Sequence, residues 1–344
     1  MKGRIAVLGS YAGRQAAALI EAGQLDDFLI APPEGTPLPG SIYRAIADRP
    51  MKGQGGITVR LADGAKGYIR KINGITPGAA LLVQVTGYAE DGKAVPVTDQ
   101  VLFKSRYVIV TPGKPGINLS RAIADDHLRD RLLEIAHGFE LPPGAGLIIR
   151  SAAEAAAEDE IAEDIGQTAN AALAVLGDNK TGGPALLLDG PDPHFLAWRD
   201  WLGVEGVETG ADSFETTGAL DLIEALRTPV LCLPGGASMY IEETRAMVTV
   251  DVNTGSDTSL AAGLKASLAA ARALPRQLRC RGLGGQIVID FAPCPKKDRR
   301  QIEHALRGAL KSDTIDTALA GWTPLGHFEM QRKRERLPLS RCLS

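Results

Sequence analysis

The chain has 344 residues, of which 44% are hydrophobic and 23% are charged, so it can bury more than one core and we expect two or three domains or subdomains. No apolar run approaches the roughly 20 residues of a membrane span, the first residues lack a signal-peptide pattern, and a net charge of −3 excludes a protein that binds nucleic acid through an overall basic surface. Four dispersed cysteines without a C-x-x-C pair argue against a disulfide framework and a zinc cluster, so we expect a soluble cytoplasmic protein with no membrane contact.

The first predicted element is RIAVLGSYAGRQAAALIEAG at residues 4–23, and two interpretations of it are open. A strand, a glycine turn and a helix are the layout of a dinucleotide site, but only Gly9 and Gly13 of the G-x-G-x-x-G motif are present. The alternative is a β-hairpin that turns at Glu21-Ala-Gly-Gln24. The incomplete motif favours a structural role over a nucleotide site.

Short strand-like runs separated by glycines follow the proline-rich stretch 31–40, and the last of them contains an Asp91-Gly92 hairpin signal. The runs are GGITVRL, KGYIRKI and ALLVQVTGYAEDGKAVPVT. This pattern is typical of a small barrel, and the OB fold is a common barrel that binds nucleic acid. In such a barrel Tyr68 would stack on a base and Lys93 would contact a phosphate. A purely structural barrel with an ordinary surface lysine is equally compatible with the pattern.

A charged helix is predicted over 121–139, and a loop then leads into a strand that ends on Arg150 and Ser151. A guanidinium beside a hydroxyl suits a phosphate group, although an ordinary surface arginine is the alternative. From about 155 to 228 helices and strands alternate. In this segment we predict that an apolar stripe packs in a core, formed by Trp198, Trp201 and Leu202.

From residue 229 onward the pattern predicts a strand PVLCL, a strand through RAMVTVD, a long helix, a strand GGQIVIDF and a basic helix. A βαβ unit has parallel strands, so Asp251 and Asp290 should emerge at the same carboxyl edge of the sheet. Two such carboxylates suit Mg²⁺, and Asn253 faces the same side. The alternative is that both aspartates cap loops or helices. Nearby basic residues would attract a phosphodiester: Arg279, Arg281, Lys296, Lys297 and the run at 331–341.

Three ordered blocks, EETRAMVTVDVNTG, RQLRCRGLGGQIVIDF and LGHFEMQRKR, resemble the catalytic core of the ribonuclease E/G family of bacterial endoribonucleases. A weaker resemblance covers nearly the whole chain. It implies a multi-subdomain α/β protein, in which an OB-fold barrel is inserted in a ribonuclease-H-like subdomain and a DNase-I-like catalytic subdomain follows. The implied segments are ribonuclease-H-like 1–35 and 166–228, the RNA-binding barrel 36–110, the 5′-sensor-like 111–165 and the catalytic 229–344.

The resemblance also implies roles for individual residues. The family's metal-binding aspartates fall on Asp251 and Asp290, and its catalytic-site asparagine falls on Asn253. The RNA-binding positions fall on Tyr68 and Lys93 in the barrel and on Arg150 and Ser151 in the 5′ sensor.

The chain also departs from the family pattern. A second RNA-holding aromatic falls on Thr58, and the arginine that the sensor borrows from the catalytic subdomain falls on Asp316. IDFAPC stands in place of IDFIDM, and Cys342 is alone where the family continues into a zinc link. We therefore expect a shortened member without a zinc-linked tetramer, and a homodimer is left open.

Together these features predict a Mg²⁺-dependent endoribonuclease that cleaves single-stranded RNA by a metal-activated water and leaves a 5′-phosphate and a 3′-hydroxyl. One alternative is an RNA-binding regulator with the same fold and little or no cleavage. A phosphatase-like hydrolase of small substrates is disfavoured by the predicted barrel.

Overall fold

The computed structural model describes residues 3–50, 55–70, 74–90, 92–178 and 181–343. In chain order the strands are β1 (Arg4–Tyr11), β2 (Arg14–Glu21), β3 (Gln24–Ile30), β4 (Ile42–Pro50), β5 (Ile57–Arg60), β6 (Lys66–Ile69), β7 (Ala80–Val85), β8 (Val95–Thr98), β9 (Phe103–Lys104), β10 (Val108–Thr111), β11 (Gly116–Leu119), β12 (Gly146–Ile149), β13 (Ala185–Leu188), β14 (Gly206–Thr209), β15 (Val230–Cys232), β16 (Ser238–Glu243), β17 (Val248–Asn253), β18 (Gly285–Asp290), β19 (Thr317–Trp322) and β20 (Phe328–Arg332).

The helices are α1 (Asp126–His137), α2 (Glu158–Leu176), α3 (Pro193–Asp200), α4 (Ser213–Thr216), α5 (Ala219–Glu224), α6 (Leu260–Cys280), α7 (Arg299–Lys311) and α8 (Leu339–Cys342). Short 3₁₀ turns lie at Ala62–Gly64, Ser151–Ala155, Ala225–Arg227, Pro234–Gly236 and Lys296–Asp298. In the described part of the chain, none of these helices combines the length and the apolar character that a membrane crossing requires.

The chain divides into two compact units. Unit 1 comprises Met1–Glu34 and Gly203–Ser344, and unit 2 comprises Gly35–Leu202. The division falls inside the segment 166–228 that we assigned to one subdomain, so α2, α3 and β13 belong to unit 2 whereas β14, α4 and α5 belong to unit 1.

Unit 1 begins with two tight hairpins. Ala12 and Gly13 join β1 to β2, and Ala22 and Gly23 join β2 to β3, all four with positive φ angles between 49° and 78°. Positive φ at both central residues defines the type I′ turn that matches the twist of paired strands. The hairpin interpretation is therefore confirmed. The predicted helix after Gly13 is wrong, because strand pairing on both sides of β2 overrides the helical propensity of its alanines.

The second sheet of unit 1 has the strand order β15-β16-β17-β18-β20-β19. Strands β17 and β18 are parallel, as the βαβ pattern predicted, and α6 connects them. Buried residues of α6 and α7 pack against one face of this sheet, in the largest core of the unit. Strand β16 was not predicted, yet it lies between β15 and β17 and pairs with both.

Unit 2 contains a closed barrel. Its strands run β4-β5-β6-β8-β7, a β4–β7 pairing closes the ring, and β6 and β8 are parallel. A closed five-stranded barrel is consistent with an OB-like fold, so the predicted barrel is confirmed at that level. The Asp91 half of the predicted Asp91-Gly92 turn lies outside the described residues.

A second sheet in unit 2 has the order β11-β12-β10-β9, and its core includes buried residues of α1 and α2. The predicted tryptophan stripe is only partly buried, with Trp198 in α3 and the other two residues directly after that helix. Trp201 is 5% exposed, but Trp198 is 44% exposed and Leu202 is 37% exposed. The prediction that the whole stripe lies in a core is therefore wrong for Trp198 and Leu202.

Candidate active site

The candidate active site lies on the face of the β15–β20 sheet opposite to α6 and α7. Successive strand residues point to opposite faces. In β17 the side chains of Asp251 and Asn253 are exposed, while the valines that alternate with them are buried, namely Val248, Val250 and Val252. In β18 Ile289 is buried and Asp290 is exposed. We call the face that carries these polar residues the open face.

Strand pairing brings Asp251 and Asp290 level with each other. They are register partners in the parallel β17–β18 pair, and neighbouring strands lie roughly 4.8 Å apart. The Asn253 side-chain amide donates a 2.8 Å hydrogen bond to Asp251 Oδ2. The Asp290 side chain is 64% exposed. The structure thus brings together the three residues that the sequence proposed for catalysis.

His327 also lies at this site and was missed as a site residue. Strand β20 runs antiparallel to β18 with Phe328 opposite Ile289, which brings His327 level with Asp290. Its Nε2 is 3.9 Å from Asp290 Oδ2. The block LGHFEMQRKR contained the signal, but the antiparallel register that carries His327 to Asp290 is not readable from the sequence.

The basic residues at the end of α6 do not reach the two aspartates, contrary to the prediction. Arg279 and Arg281 are 8% and 6% exposed. The α6 helix runs back across the sheet, so its carboxyl end lies at the edge where β18 begins, opposite to the edge where Asp290 ends it. Arg279 pairs there with Asp26, Asp27 and Asp313.

Most of the basic run at 331–341 is also engaged inside the protein. Arg332 is fully buried and donates to Asp313, and Arg336 pairs with Asp27. Lys333 pairs with Glu335, and Arg341 lies 3.9 Å from Glu243. Arg332 and Arg336 therefore stabilise unit 1 rather than contributing to an RNA-binding surface. Lys296 and Lys297 differ, because they lie a few residues after Asp290 and both are exposed.

The barrel carries the predicted RNA-binding side chains Tyr68 and Lys93. Tyr68 lies in β6 directly opposite Thr58 of β5. A Cβ added at Gly56 would collide with the Tyr68 hydroxyl and with the backbone carbonyl of Ile69, so a glycine is needed for the ring to lie there. Lys93 lies in the connection before β8, is 66% exposed and pairs with Glu90 at 2.7 Å.

The strand predicted to end on Arg150 and Ser151 ends at Ile149, so both residues directly follow β12. The Arg150 guanidinium already has protein partners. It donates to the Arg106 carbonyl at 2.9 Å and to Asp200 Oδ1 at 3.0 Å. Lys104 and Arg199 also pair with Asp200. Burial raises the pKa of the Asp200 carboxyl. The cations around it, of which Arg199 contributes most, lower this pKa by more than burial raises it, so the net pKa is about 2.

Cys342, which the resemblance places at a zinc link, is 1% exposed. Burial raises the pKa of its thiol to about 11, so the thiolate that zinc requires is disfavoured. In the described residues no group of three or more His, Cys, Asp or Glu side chains is arranged to hold a metal ion. At the candidate active site, the carboxylates that could bind a metal ion are the two of Asp251 and Asp290.

Comparison with known proteins places these features in a family. Residues 103–208 and 203–335 match the model of the ribonuclease E/G family. Ribonuclease G of Salmonella typhimurium (strain SL1344) is 30% identical over 76% of this chain and 61% of its own length. Ribonuclease E of Nostoc sp. (strain PCC 7120 / SAG 25.82 / UTEX 2576) is 28% identical over 93% of this chain and 54% of its own.

Ribonuclease G of Escherichia coli (strain K12) is 30% identical over 78% of this chain and 62% of its own length. The chain therefore spans between about half and three fifths of the length of these relatives. The resemblance drawn from the three sequence blocks is confirmed, because the family model matches well over half of the chain. The protein belongs to the ribonuclease E/G family.

Proposed function

We propose that this protein is an endoribonuclease that cleaves single-stranded RNA on the open face, with Asp251 and Asp290 holding Mg²⁺. The observation that carries this proposal is the level placement of two exposed carboxylates on adjacent parallel strands. Neither carboxylate has a lysine or arginine ion-pair partner among the described residues. Two such charges repel each other unless a cation lies between them.

The donor set fits a magnesium ion. Mg²⁺ binds oxygen ligands, commonly takes one or two protein carboxylates, and keeps its other positions for waters and phosphate oxygens. The exposure of Asp251 and Asp290 leaves room for those additional ligands. A bound Mg²⁺ would supply positive charge for the scissile phosphodiester and activation of a water for in-line attack.

The chain's own residues hold the site in shape. The Asn253 amide fixes the orientation of the Asp251 carboxylate through its 2.8 Å hydrogen bond. His327 faces Asp290 from β20 at 3.9 Å and is placed to interact with that carboxylate. Both neighbours contribute positioning without adding a negative charge to the pair.

The barrel is the proposed holding site for the RNA. Tyr68 offers a ring on which a base can stack, and Lys93, 66% exposed, offers a cation for a phosphate. The relatives with which this chain aligns are named ribonuclease G and ribonuclease E. Their names agree with an RNA substrate, and we extend that substrate to this chain.

A second candidate is an RNA-binding regulator with the same fold and little or no cleavage. The observation that favours it is the apolar pair Phe291 and Ala292 directly after Asp290, both of which are buried. This apolar continuation adds no acidic side chain to the aspartate pair.

One experiment separates the two candidates. Purified protein is incubated with an unstructured, end-labelled RNA, with Mg²⁺ or with EDTA, and internal cuts are mapped. We expect Mg²⁺-dependent cuts whose downstream fragments carry a 5′-phosphate and whose upstream fragments end in a 3′-hydroxyl. Binding of the RNA without cuts at any Mg²⁺ concentration would favour the regulator.

A further inference from the structure

An exposed aromatic surface lies on α3 in unit 2. Phe195 and Trp198 are three residues apart and therefore share a helix face, with exposures of 39% and 44%. Their ring centroids are 5.3 Å apart. Ala197 and Trp201 occupy the buried side of the same segment, with exposures of 3% and 5%. The exposed rings are thus additional to those that the core needs.

Arg106 borders this aromatic surface. Its guanidinium carbon lies 5.6 Å from the Trp198 ring centroid and 5.7 Å from that of Tyr107. Tyr107 in turn contacts the Trp198 ring edge-on, with centroids 6.4 Å apart. Arg150 donates to the Arg106 carbonyl and so fixes the backbone from which the Arg106 side chain projects. The cation and the rings are therefore held together.

The surroundings of this surface carry excess positive charge. Lys104, Arg150 and Arg199 all pair with the single carboxylate of Asp200. Among the described residues Arg106 forms no ion pair. Glu160 accepts a hydrogen bond from the Tyr107 hydroxyl, and the buried Asp164 accepts hydrogen bonds from the Ser105 hydroxyl and the Tyr107 amide. Four cations therefore lie near three carboxylates, and the remaining positive charge attracts an anion.

We propose that Phe195, Trp198 and Arg106 form a stacking platform for single-stranded RNA, in which a base lies on the Trp198 ring and its phosphate contacts Arg106 and Lys104. Exposed aromatic rings beside cations are how proteins hold single strands, because each base has a flat face for stacking and each linkage has one negative charge. This inference rests on the proposed function for the class of ligand. It adds a site on α3 to those in the barrel and on the open face.

A second copy of the chain is a less suitable occupant of the platform. Aromatic and arginine side chains also form the centres of protein interfaces, but an identical copy would bring the same excess of cations to a two-fold contact. The repulsion between like charges would oppose that contact. Single-stranded RNA is a polyanion and therefore complements the positive charge around the platform.

The test measures the affinity of a fluorescein-labelled single-stranded RNA decamer in EDTA, where cleavage is blocked. We expect Trp198→Ala to weaken binding by about tenfold or more, in the range of a lost base stack, and Trp198→Phe to retain most of the affinity. Leu173→Ala removes a similarly exposed apolar side chain, 54% exposed in α2, and serves as the control with unchanged affinity. RNA should also quench tryptophan emission in the wild type but less in Trp198→Phe.

Arg106→Gln tests the cation, with the exposed Arg121→Gln in the same unit as its charge-matched control. Wild-type affinity in folded Trp198→Ala and Arg106→Gln would overturn the proposal. So would loss of a sedimenting dimer in Trp198→Ala with RNA affinity intact, since that result identifies a protein interface. Cleavage is measured separately with Mg²⁺, so a protein that binds through Trp198 but never cuts would contradict only the proposed nuclease activity.

Discussion

Two groups of aspartates in unit 1 have opposite environments. Asp251 and Asp290 lie side by side on the open face, exposed to solvent, where Asn253 donates a hydrogen bond to Asp251 and His327 lies 3.9 Å from Asp290. Asp27 and Asp313 have side chains that are 6% and 0% exposed and are surrounded by arginines. The difference separates two environments of one residue type: the buried carboxylates are compensated by arginines and hold the fold, and the exposed pair is the site that we propose for an external cation.

The buried group joins distant parts of the chain. Arg279 at the end of α6 pairs with Asp27 of β3 and with Asp313 after α7, while Arg332 in β20 pairs with Asp313 and Arg336 pairs with Asp27. A buried ion costs several kcal/mol to desolvate, and its partners offset that cost only while all of them are present. The comparison therefore predicts that removing charge has opposite consequences in the two groups.

The largest expected effect is on activity at the open face. We expect Asp251→Asn and Asp290→Asn each to lower the cleavage rate by orders of magnitude. The melting temperature should stay level or rise, because one of two repelling charges is removed. Cleavage of an end-labelled RNA and thermal unfolding measure the two quantities. Glu242→Gln is the matched control, because it removes a carboxylate of β16 that is also exposed on the open face. Wild-type cleavage rates in both aspartate variants would refute the metal assignment.

The next effect is on stability in the buried group. Asp313→Asn leaves the fully buried Arg332 without its carboxylate partner, so we expect unfolding to become easier by about 3 to 5 kcal/mol. The melting temperature should fall by roughly 10 °C for a unit of this size, while cleavage per folded molecule stays unchanged at low temperature. Glu303→Gln breaks the exposed pair with Arg307 on α7 and should change stability by less than about 0.5 kcal/mol. Equal melting temperatures for the two variants would contradict the comparison.

Asp200 in unit 2 allows the same comparison for a carboxylate that pairs with several cations. Because its pKa is lowered to about 2 from the ordinary 3.8, its contribution to stability is present above about pH 4 and is lost as the pH falls from 4 toward 2. That contribution is on the order of 2 kcal/mol. We expect Asp200→Asn to be less stable than the wild type at pH 7 and the gap to shrink below pH 4. Urea unfolding between pH 7 and pH 2 measures the difference in unfolding free energy between the two proteins, and Asp130→Asn, at an exposed aspartate, is the control. A difference that does not change with pH would show that another effect dominates.

The aspartate pair of the candidate site was predictable because its signals are local, whereas His327 was not. Strand alternation in RAMVTVD and GGQIVIDF, with the helix between them, was sufficient to place Asp251 and Asp290 at one edge of parallel strands. The barrel was predictable from short strands between glycines, to the level of a closed ring. Neither inference required knowledge of residues far away in the chain.

The errors all concern contacts between distant segments. Strand β2 forms because β1 and β3 pair with its two edges, and nothing local in its alanine-rich sequence reveals that. Arg332 and Arg279 belong to a basic pattern that suggests an RNA surface, but both of them pair with Asp313 from another part of the chain. The exposure of Trp198 similarly depends on what covers α3, which helical spacing alone does not specify.

The smallest expected effect concerns Arg150, a cation whose partners are already in the protein. Its guanidinium donates to the Arg106 carbonyl and to Asp200, so few of its donors remain for a terminal phosphate, and Asp316 stands where the resemblance places a second arginine. We therefore expect a preference for a 5′-monophosphate over a 5′-hydroxyl of only a few-fold. A fully formed charged hydrogen bond of about 1.5 to 3 kcal/mol would instead give a roughly ten- to hundredfold preference for the 5′-monophosphate.

The measurement compares the cleavage rates of one RNA with either 5′ end, in the wild type, Arg150→Ala and Ser151→Ala. Arg150→Ala also releases the backbone at residues 105 and 106, so it should slow cleavage of both RNAs and change their ratio little. Ser151→Ala keeps those contacts and isolates the hydroxyl. A hundredfold preference that Arg150→Ala abolishes would mean that Asp200 releases the guanidinium when RNA binds, and that the compensation seen at Arg150 is a resting arrangement of a working sensor.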